Sequence, residues 1–436
     1  MGSLWENYAD RPLFDEFCGE GRADVVVVGG GMAGILTAYR LSKSGVAVAV
    51  VEANRILGGT TANTSAKITL QHGLIYNKLI KKYGVEYAKG YLEANLCALG
   101  DYRNLAQAID CDYEKRDAVV YSTSDAGKIE AELEAYDRLG YFADFVPTLP
   151  IPINIIGGVR VRDQAQFNPL KLAFKLAENL RIYENTRVQG IERGVCITDR
   201  GRLRAEKIIV ATHFPIINTH GFYFVKQYQH RSYVVALSGA AEVGGMYVDE
   251  NRSGYSFRNY KDYLLVGGGA HRTGKRGGGY SELESFVEKS YTGAKIEYRF
   301  AAQDCLTLDG VPYIGEYSSR WDGIYVATGF NKWGMSGSMV SSSILADIIL
   351  GNKNPYREIF DPSRSIMHPQ LFLNIASSAI GLITPTAPRC SHLGCALKYN
   401  KSEHSWDCPC HGSRYSDCGD VKDSPAIKKI KRKNKQ

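Results

Sequence analysis

A chain of 436 residues exceeds the roughly 250–300 residues that one hydrophobic core supports, which points to two or three domains. Apolar residues at 44% and charged residues at 23% exclude a disordered or collagen-like chain. The net charge of +7 is local: the last ten residues, IKKIKRKNKQ, carry six cations and no acid, and without them the balance is +1. The body therefore gives no sign of nucleic-acid binding. The tail reads as a solvated end, with a docking patch for an acidic redox partner or a membrane surface as the alternative.

The first twenty residues lack a basic segment followed by an apolar core, so no secretory signal is read there. Leu371 to Thr384 is the longest strongly apolar stretch near a terminus, at fourteen residues. A membrane span needs about 20, and the expectation is a soluble, cytoplasmic protein without a membrane span.

From Ala23 the chain reads ADVVVVGGGMAGILTAYRLSKSGVAVAVVEANR. Val25 to Val28 suits a parallel strand buried on both faces. It leads into Gly29-Gly30-Gly31-Met32-Ala33-Gly34, a G-x-G-x-x-G turn. A helix to about Ser44 follows, then a second buried strand, Val46 to Val51, ending at Glu52. In such a unit Gly29 makes the turn, Gly31 lets the backbone approach a pyrophosphate, and Gly34 lets helix and strand pack closely. Phosphates would sit at the helix N-terminus, where unpaired N–H groups favour negative charge. Glu52 is placed to accept hydrogen bonds from a ribose diol. The pattern predicts a Rossmann-like dinucleotide site and leaves NAD and FAD both open.

Later segments point to FAD. KIIVATHF (Lys207 to Phe214) reads as a strand returning to the same sheet, and LDGVPYIG (Leu308 to Gly315) precedes GIYVATGFNKWGMS (Gly323 to Ser336) and a helix. With these segments the chain resembles the D-amino-acid-oxidase-like superfamily of FAD-dependent oxidoreductases from about Ala23 to Gly351. GGTTANTSAK (Gly58 to Lys67) is similar to that family's second flavin-contacting loop. Beyond the glycine turn and Glu52, the resemblance implies flavin contacts at Thr60, Thr61, Lys67, Val188, Ala211, Thr212, Gly310, Gly329, Phe330 and Lys332. It implies an α/β fold with FAD-binding parts near 22–75, 150–215 and 300–352. An interleaved antiparallel substrate sheet and cap would occupy 76–149 and 216–299. Lys332, beside Trp333, is expected at the flavin pyrimidine edge, where a cation stabilises the negative charge of a reduced flavin.

Tyr76 to Leu139 carries Ala, Leu, Glu and Lys at helical spacing, which predicts helices packed over the first domain. Phe222 to Tyr298 is rich in Tyr, Val and Ser with frequent Gly and predicts antiparallel strands. Arg231 and Tyr233 open one such strand, and Arg258 lies on its predicted neighbour. An arginine there could hold a substrate carboxylate through two hydrogen bonds; an ordinary ion pair is the alternative. His271 and Arg272 could line the same cavity. Lys332, Arg231 and Tyr233 are the expected catalytic residues, and Cys305 reads as a buried structural cysteine.

Half of the ten cysteines (Cys390, Cys395, Cys408, Cys410 and Cys418) fall within 29 residues. Cys390-x-His392 and Cys408-x-x-His411 supply two thiolates and two imidazoles. That set suits tetrahedral zinc, or a [2Fe–2S] cluster with cysteines on one iron and histidines on the other. Cys395 follows the first ligand pair and Cys410 lies within the second, at positions where a disulfide could tie the two loops, which favours the cluster. CSHLGC and CPCHGS together resemble the Rieske iron–sulfur domain. The resemblance implies Cys390, His392, Cys408 and His411 as ligands, with Cys395 and Cys410 as braces. Cys418 and His404 match no ligand position. The whole chain resembles the bacterial FAD-dependent oxidoreductases that carry a C-terminal Rieske domain.

One departure stands out. Only about thirty residues separate Asp361 from Cys390, and they hold the helical-looking LFLNIASSAIGLI followed by PTAP. Residues 1–361 therefore read as the flavin part, 362–385 as a linker, 386–427 as a truncated cluster unit without most of its sheet base, and 428–436 as a basic tail. Either the cluster loops dock directly on the flavin domain, or the cluster assembles poorly.

The expected activity is hydride transfer to FAD from a C–N or C–O bond of a small amine or amino-acid-like substrate. Electrons would pass to the cluster and then to an acceptor protein or a quinone. The alternatives are a flavin oxidoreductase whose Cys/His loops are structural or bind zinc, and a redox carrier or sensor without a dedicated substrate.

Overall fold

The computed structural model describes residues 3–192, 194–217, 220–385 and 388–430. Val25–Val28 is buried along its whole length because it sits inside a six-stranded sheet, ordered 313–316, 324–328, 207–210, 25–28, 48–51, 181–183. It pairs in parallel with Lys207–Val210 and Val48–Val51, so a continuous apolar run is what both neighbouring strands and both sheet faces require. Helix Met32–Lys43 follows the glycine turn and packs on helix Gly334–Leu350. The two ends of the flavin segment thus meet in one unit.

A second sheet has nine strands and carries the interleaved domain. Toward one edge of it Gln227–Ser238 pairs antiparallel with the edge strand Lys295–Thr307 on one side and Tyr263–Arg272 on the other. This sheet departs from expectation in three ways. Glu114–Ser122, inside the stretch read as helical, is a strand between helices Val85–Ala108 and Ala126–Arg138. Its AVVYS half is buried and β-prone, which outweighs the helical composition around it. It pairs in parallel with Met246–Asp249, so the sheet is mixed and not purely antiparallel. Gly157–Gln166, in a stretch expected to belong to the FAD part, pairs with Glu114–Ser122 in this second sheet.

The stretch read as a linker contains helix Pro369–Ile383. Pro369 opens it, with the His368 side chain accepting from Gln370 N–H, and Asn374 Nδ2 donates to the Val225 carbonyl at 3.1 Å. The helix is therefore anchored on the flavin domain. The cluster unit does contain a sheet, but a small one whose four strands lie after the first ligand loop: Lys398–Asn400, Ser405–Asp407, Arg414–Ser416 and Val421–Asp423. Its core is formed by Cys390, Cys395, Cys408, Cys410 and Tyr415 with Leu397, Ala426 and Ile430. Of the tail, residues 431–436 lie outside the described residues.

Candidate active site

Gly29 takes φ +110°, and a Cβ there would meet the Ala211 carbonyl oxygen at 2.5 Å, so only glycine fits between the two parallel strands. A Cβ on Gly34 would lie 2.0 Å from the Gly29 carbonyl oxygen. Gly31 is different: its nearest neighbour, Thr61 Oγ1, would be 3.7 Å away. The space beside Gly31 is open at the start of helix Met32–Lys43, where it can take a pyrophosphate. Thr61 Oγ1 accepts from Met32 N–H at 3.2 Å and ties the second loop to the helix start. Glu52 accepts from Gly30 N–H at 2.8 Å and Asn54 N–H at 2.9 Å while lining the cavity, and burial raises its carboxyl above the usual range.

Two substitutions separate these roles. Gly31→Val keeps a folded protein that binds no FAD, because its side chain occupies the phosphate space. Gly34→Ala drives its methyl into backbone and destabilises the fold by about 1–3 kcal/mol. Flavin absorbance after gel filtration, read beside a thermal melt, checks both.

The cavity holds about 1430 Å³. It is lined by Gly29, Gly31, Met32, Ala33 and Glu52 from the nucleotide unit, by Thr60, Thr61 and Lys67 from the second loop, and by Val188, Ala211 and Thr212. Gly310, Phe330 and Lys332 line it from the later segments. Gly30, Gly34 and Gly329 stand behind this lining: Gly329 has φ +75° and is packed on Thr307. Burial, followed by the charge of Arg258, lowers Lys67 to about 7. Lys332 is half-buried, its ammonium donating to the Arg252 carbonyl at 2.9 Å, and burial lowers its pKa.

Two expected substrate arginines are occupied. Arg231 donates to both carboxylate oxygens of Glu403, one at 2.7 Å through Nε. It therefore ties the cluster unit to the cavity wall, which it also lines. Arg258 is fully buried, over the Trp5 ring and donating to the Ser65 and Ala66 carbonyls at 2.7 and 2.8 Å. It holds the second flavin loop. Tyr233 lines the cavity, with its hydroxyl 3.1 Å from His271 Nε2, while the Arg272 guanidinium lies over the Tyr228 ring. Cys305 is buried with its thiol donating to Gln227 Oε1, as a structural cysteine should be. His404 and Cys418 are exposed.

In the cluster unit the Cys390 and Cys408 thiols contact each other, and the His392 and His411 rings lie 5.0 Å apart between centroids. Tyr415 brings its hydroxyl to 3.2 Å from Cys390 Sγ. His411 Nε2 is 3.2 Å from Ser378 Oγ, whereas its Nδ1 is buried without a hydrogen-bond partner among the described residues. Burial lowers His392 and His411 to about 3 and about 4, which keeps both imidazoles neutral and able to ligate. Paired thiols, paired neutral rings and an orphaned ring nitrogen fit the donor set of a [2Fe–2S] cluster with two histidine ligands. Cys395 and Cys410 are free thiols, and their sulfurs and that of Cys408 all lie within 4.8 Å of one another.

The cluster unit sits on the flavin domain through groups that sequence reading missed. Gln229 Nε2 donates at 3.0 Å to the carbonyls of His411 and Ser424, and Gln303 Nε2 donates at 2.9 Å to that of Gly412. The Gln303 carbonyl in turn accepts from Thr60 Oγ1 at 3.1 Å, in the flavin loop. Ser424 Oγ donates to the Thr212 carbonyl at 3.1 Å. Glu403, Arg414, Asp423 and Ser424 form part of the cavity wall. No local pattern in the sequence marks these residues, since each acts through a partner far along the chain.

Residues 24–348 match the FAD dependent oxidoreductase family, and residues 373–433 match the Rieske [2Fe-2S] domain. The chain is 34% identical to the Rieske 2Fe-2S iron-sulfur protein YhfW of Bacillus subtilis (strain 168) over 492 aligned positions, covering 98% of this chain and 97% of that protein. An alignment longer than this 436-residue chain means that the relative has residues this chain lacks. Gamma-glutamylputrescine oxidoreductase of Escherichia coli (strain K12) is 23% identical over 79% of this chain and 87% of its own length. Among solved structures, glycine oxidase from Geobacillus kaustophilus superposes with a TM-score of 0.67 at 18% identity, covering 79% of this chain and 99% of that one. No helix among the described residues is long and apolar enough to cross a membrane. The chain belongs to the FAD dependent oxidoreductase family, with FAD as the cofactor of its large cavity and a Rieske [2Fe-2S] domain built against that cavity.

Proposed function

We propose that this protein oxidises a small amine or amino-acid-like substrate at FAD and delivers the electrons through its Rieske cluster to an acceptor protein or a quinone. The observation that carries this reading is the clamp on the second ligand loop. Gln303 holds the Gly412 carbonyl with its side chain and the flavin loop with its backbone. Support for the substrate class comes from the relatives, an oxidoreductase of gamma-glutamylputrescine and an oxidase of glycine. FAD supplies two-electron oxidation with one-electron return, and the cluster supplies one-electron transfer at a raised potential.

The chain's own groups do the rest. Gly31 and the start of helix Met32–Lys43 hold the pyrophosphate, and Glu52 holds the ribose. Lys332, kept in place by the Arg252 carbonyl, stabilises negative charge at the flavin edge. Tyr233, backed by His271, borders the substrate space. Cys390, His392, Cys408 and His411 hold the cluster, with Cys395 and Cys410 pairing as its brace. Exposed free thiols at Cys18 and Cys97 suit a reducing, cytoplasmic compartment.

A second reading draws on the three sulfurs within 4.8 Å, a grouping that could take zinc. Metal analysis separates the two. The clamp is tested by Gln303→Leu in the holoprotein. Light-driven reduction of the flavin, followed by absorbance and electron paramagnetic resonance, gives the rate at which the cluster becomes reduced. We expect that rate to fall by on the order of tenfold or more, since small displacements of a positioned group have effects of that size, with both cofactors still bound. An unchanged rate in the variant would remove Gln303 from the account; no transfer in the unsubstituted protein would remove the electron-transfer reading itself.

A further inference from the structure

We propose that helix Pro369–Ile383 and the basic tail dock the protein onto the surface of an anionic lipid bilayer, the helix lying in the plane of the interface. The helix, PQLFLNIASSAIGLI, contains no charged residue. Its faces are inverted relative to a surface helix of a globular protein, which turns its apolar stripe inward. Apart from Leu371, the side set against the protein carries Asn374, which donates to the Val225 carbonyl, Ser378, which meets His411, and Gly381, which abuts Cys410 Sγ. The side facing outward carries Phe372, Leu373, Ile375, Ile380, Leu382 and Ile383, with Phe372 at 61% and Ile383 at 79% exposure. An exposed apolar face of this extent marks an interaction surface. At fifteen residues the helix is too short to span a bilayer, which takes about 20, so an in-plane position is the one open to it.

Charge selects the occupant. The loop Cys390–Cys395 joins the apolar helix to the basic tail: Leu382 packs near Gly394, and Ser391 Oγ donates to the Lys428 carbonyl. Leu393 at the tip of this loop is exposed. Arg389 donates to the carbonyls of Leu382 and Thr384 at the end of the helix. Beyond Lys428 the sequence adds Lys429, Lys431, Arg432, Lys433 and Lys435 with no acid among them; Lys429 pairs with Asp420 of the cluster unit. A second copy of the chain would match the apolar face but would set a second cationic tail beside the first. An anionic bilayer meets both features, the acyl boundary receiving the helix face and the headgroups receiving the tail. The Cys390–Cys395 loop, and His392 with it, would then lie at the lipid surface. The inference rests on the surface alone and does not require electron transfer to the cluster.

The experiment is cosedimentation of the full-length holoprotein with vesicles of phosphatidylcholine, with and without phosphatidylglycerol. We expect binding to the anionic vesicles to exceed that to neutral ones by on the order of tenfold or more and to weaken in high salt. The double substitution Phe372→Glu/Ile380→Glu, at exposed positions, should abolish binding while flavin and iron contents stay unchanged. Replacing Lys428, Lys431, Arg432 and Lys433 by Gln should remove the preference for the anionic lipid. Absence of binding to either vesicle, equal binding to both, or a dimer in sedimentation velocity that the double substitution dissolves would each overturn the proposal.

Discussion

Replacing Cys408 by serine will strip iron and labile sulfide from the protein and leave the flavin bound. Cys408 is fully buried and in contact with Cys390, at the centre of the donor set. A serine hydroxyl is a harder and weaker donor than a thiolate to the iron of a [2Fe–2S] cluster. The nucleotide cradle is built from the glycine turn, Glu52 and the Gly58–Lys67 loop, none of which touches Cys408. Iron and sulfide analysis beside the flavin spectrum gives the result. Loss of both cofactors together would show that the cluster holds the flavin cavity closed, through the wall that Glu403, Asp423 and Ser424 supply.

The second large effect concerns stability. Asp309 and Arg364 form a buried pair, with Arg364 Nε at 2.7 Å and Nη2 at 3.0 Å from the two carboxylate oxygens, and Tyr83 adds a hydrogen bond at 2.9 Å. Burial pushes the Asp309 carboxyl up, but the Arg364 charge and the hydrogen bonds outweigh it and hold the group at about 2, below its ordinary 3.8. Because the folded state binds this proton more weakly than the unfolded chain, the pair stabilises the protein above about pH 4 and loses its effect as pH falls toward 2. Asp309→Asn leaves the Arg364 guanidinium buried without its counter-charge and should destabilise the fold by about 3–5 kcal/mol at neutral pH. Denaturant titration at pH 7 and at about pH 3, between the unfolded and folded values of the carboxyl, measures this. The gap between the two proteins should narrow in acid, and a gap that is constant with pH would contradict the assignment.

Legibility in the sequence followed the range of the interactions. The strand, turn, helix, strand and acid from Val25 to Glu52 are specified by neighbours in the chain, and each appears where periodicity and glycine spacing put it. The ligand pairs at Cys390–His392 and Cys408–His411 are equally local. Arg231 shows the opposite case: its partner, Glu403, lies 172 residues away, so nothing around HRSYVV distinguishes an anchor from a substrate-binding arginine. Gln229 and Gln303 were silent for the same reason, being uncharged residues inside strands whose partners are backbone carbonyls. Glu114–Ser122 was hidden by the helical composition on both sides, although its AVVYS half carried the β-branched signal. The shortened base of the cluster unit was legible as a lack of strand pattern before Cys390. Its compensation, direct docking on the strands Gln227–Ser238 and Lys295–Thr307, depends on tertiary contacts that no local pattern encodes.

The central claim is that one chain holds a flavin and a Rieske cluster against a shared wall. Anaerobic purification followed by flavin, iron, acid-labile sulfide and zinc analysis, with the absorption spectrum, tests it most directly. The account predicts equal iron and sulfide, each at twice the flavin, and no zinc. Flavin without iron or sulfide, or with zinc in their place, would contradict it and leave the Cys/His loops a structural element of a flavin oxidoreductase.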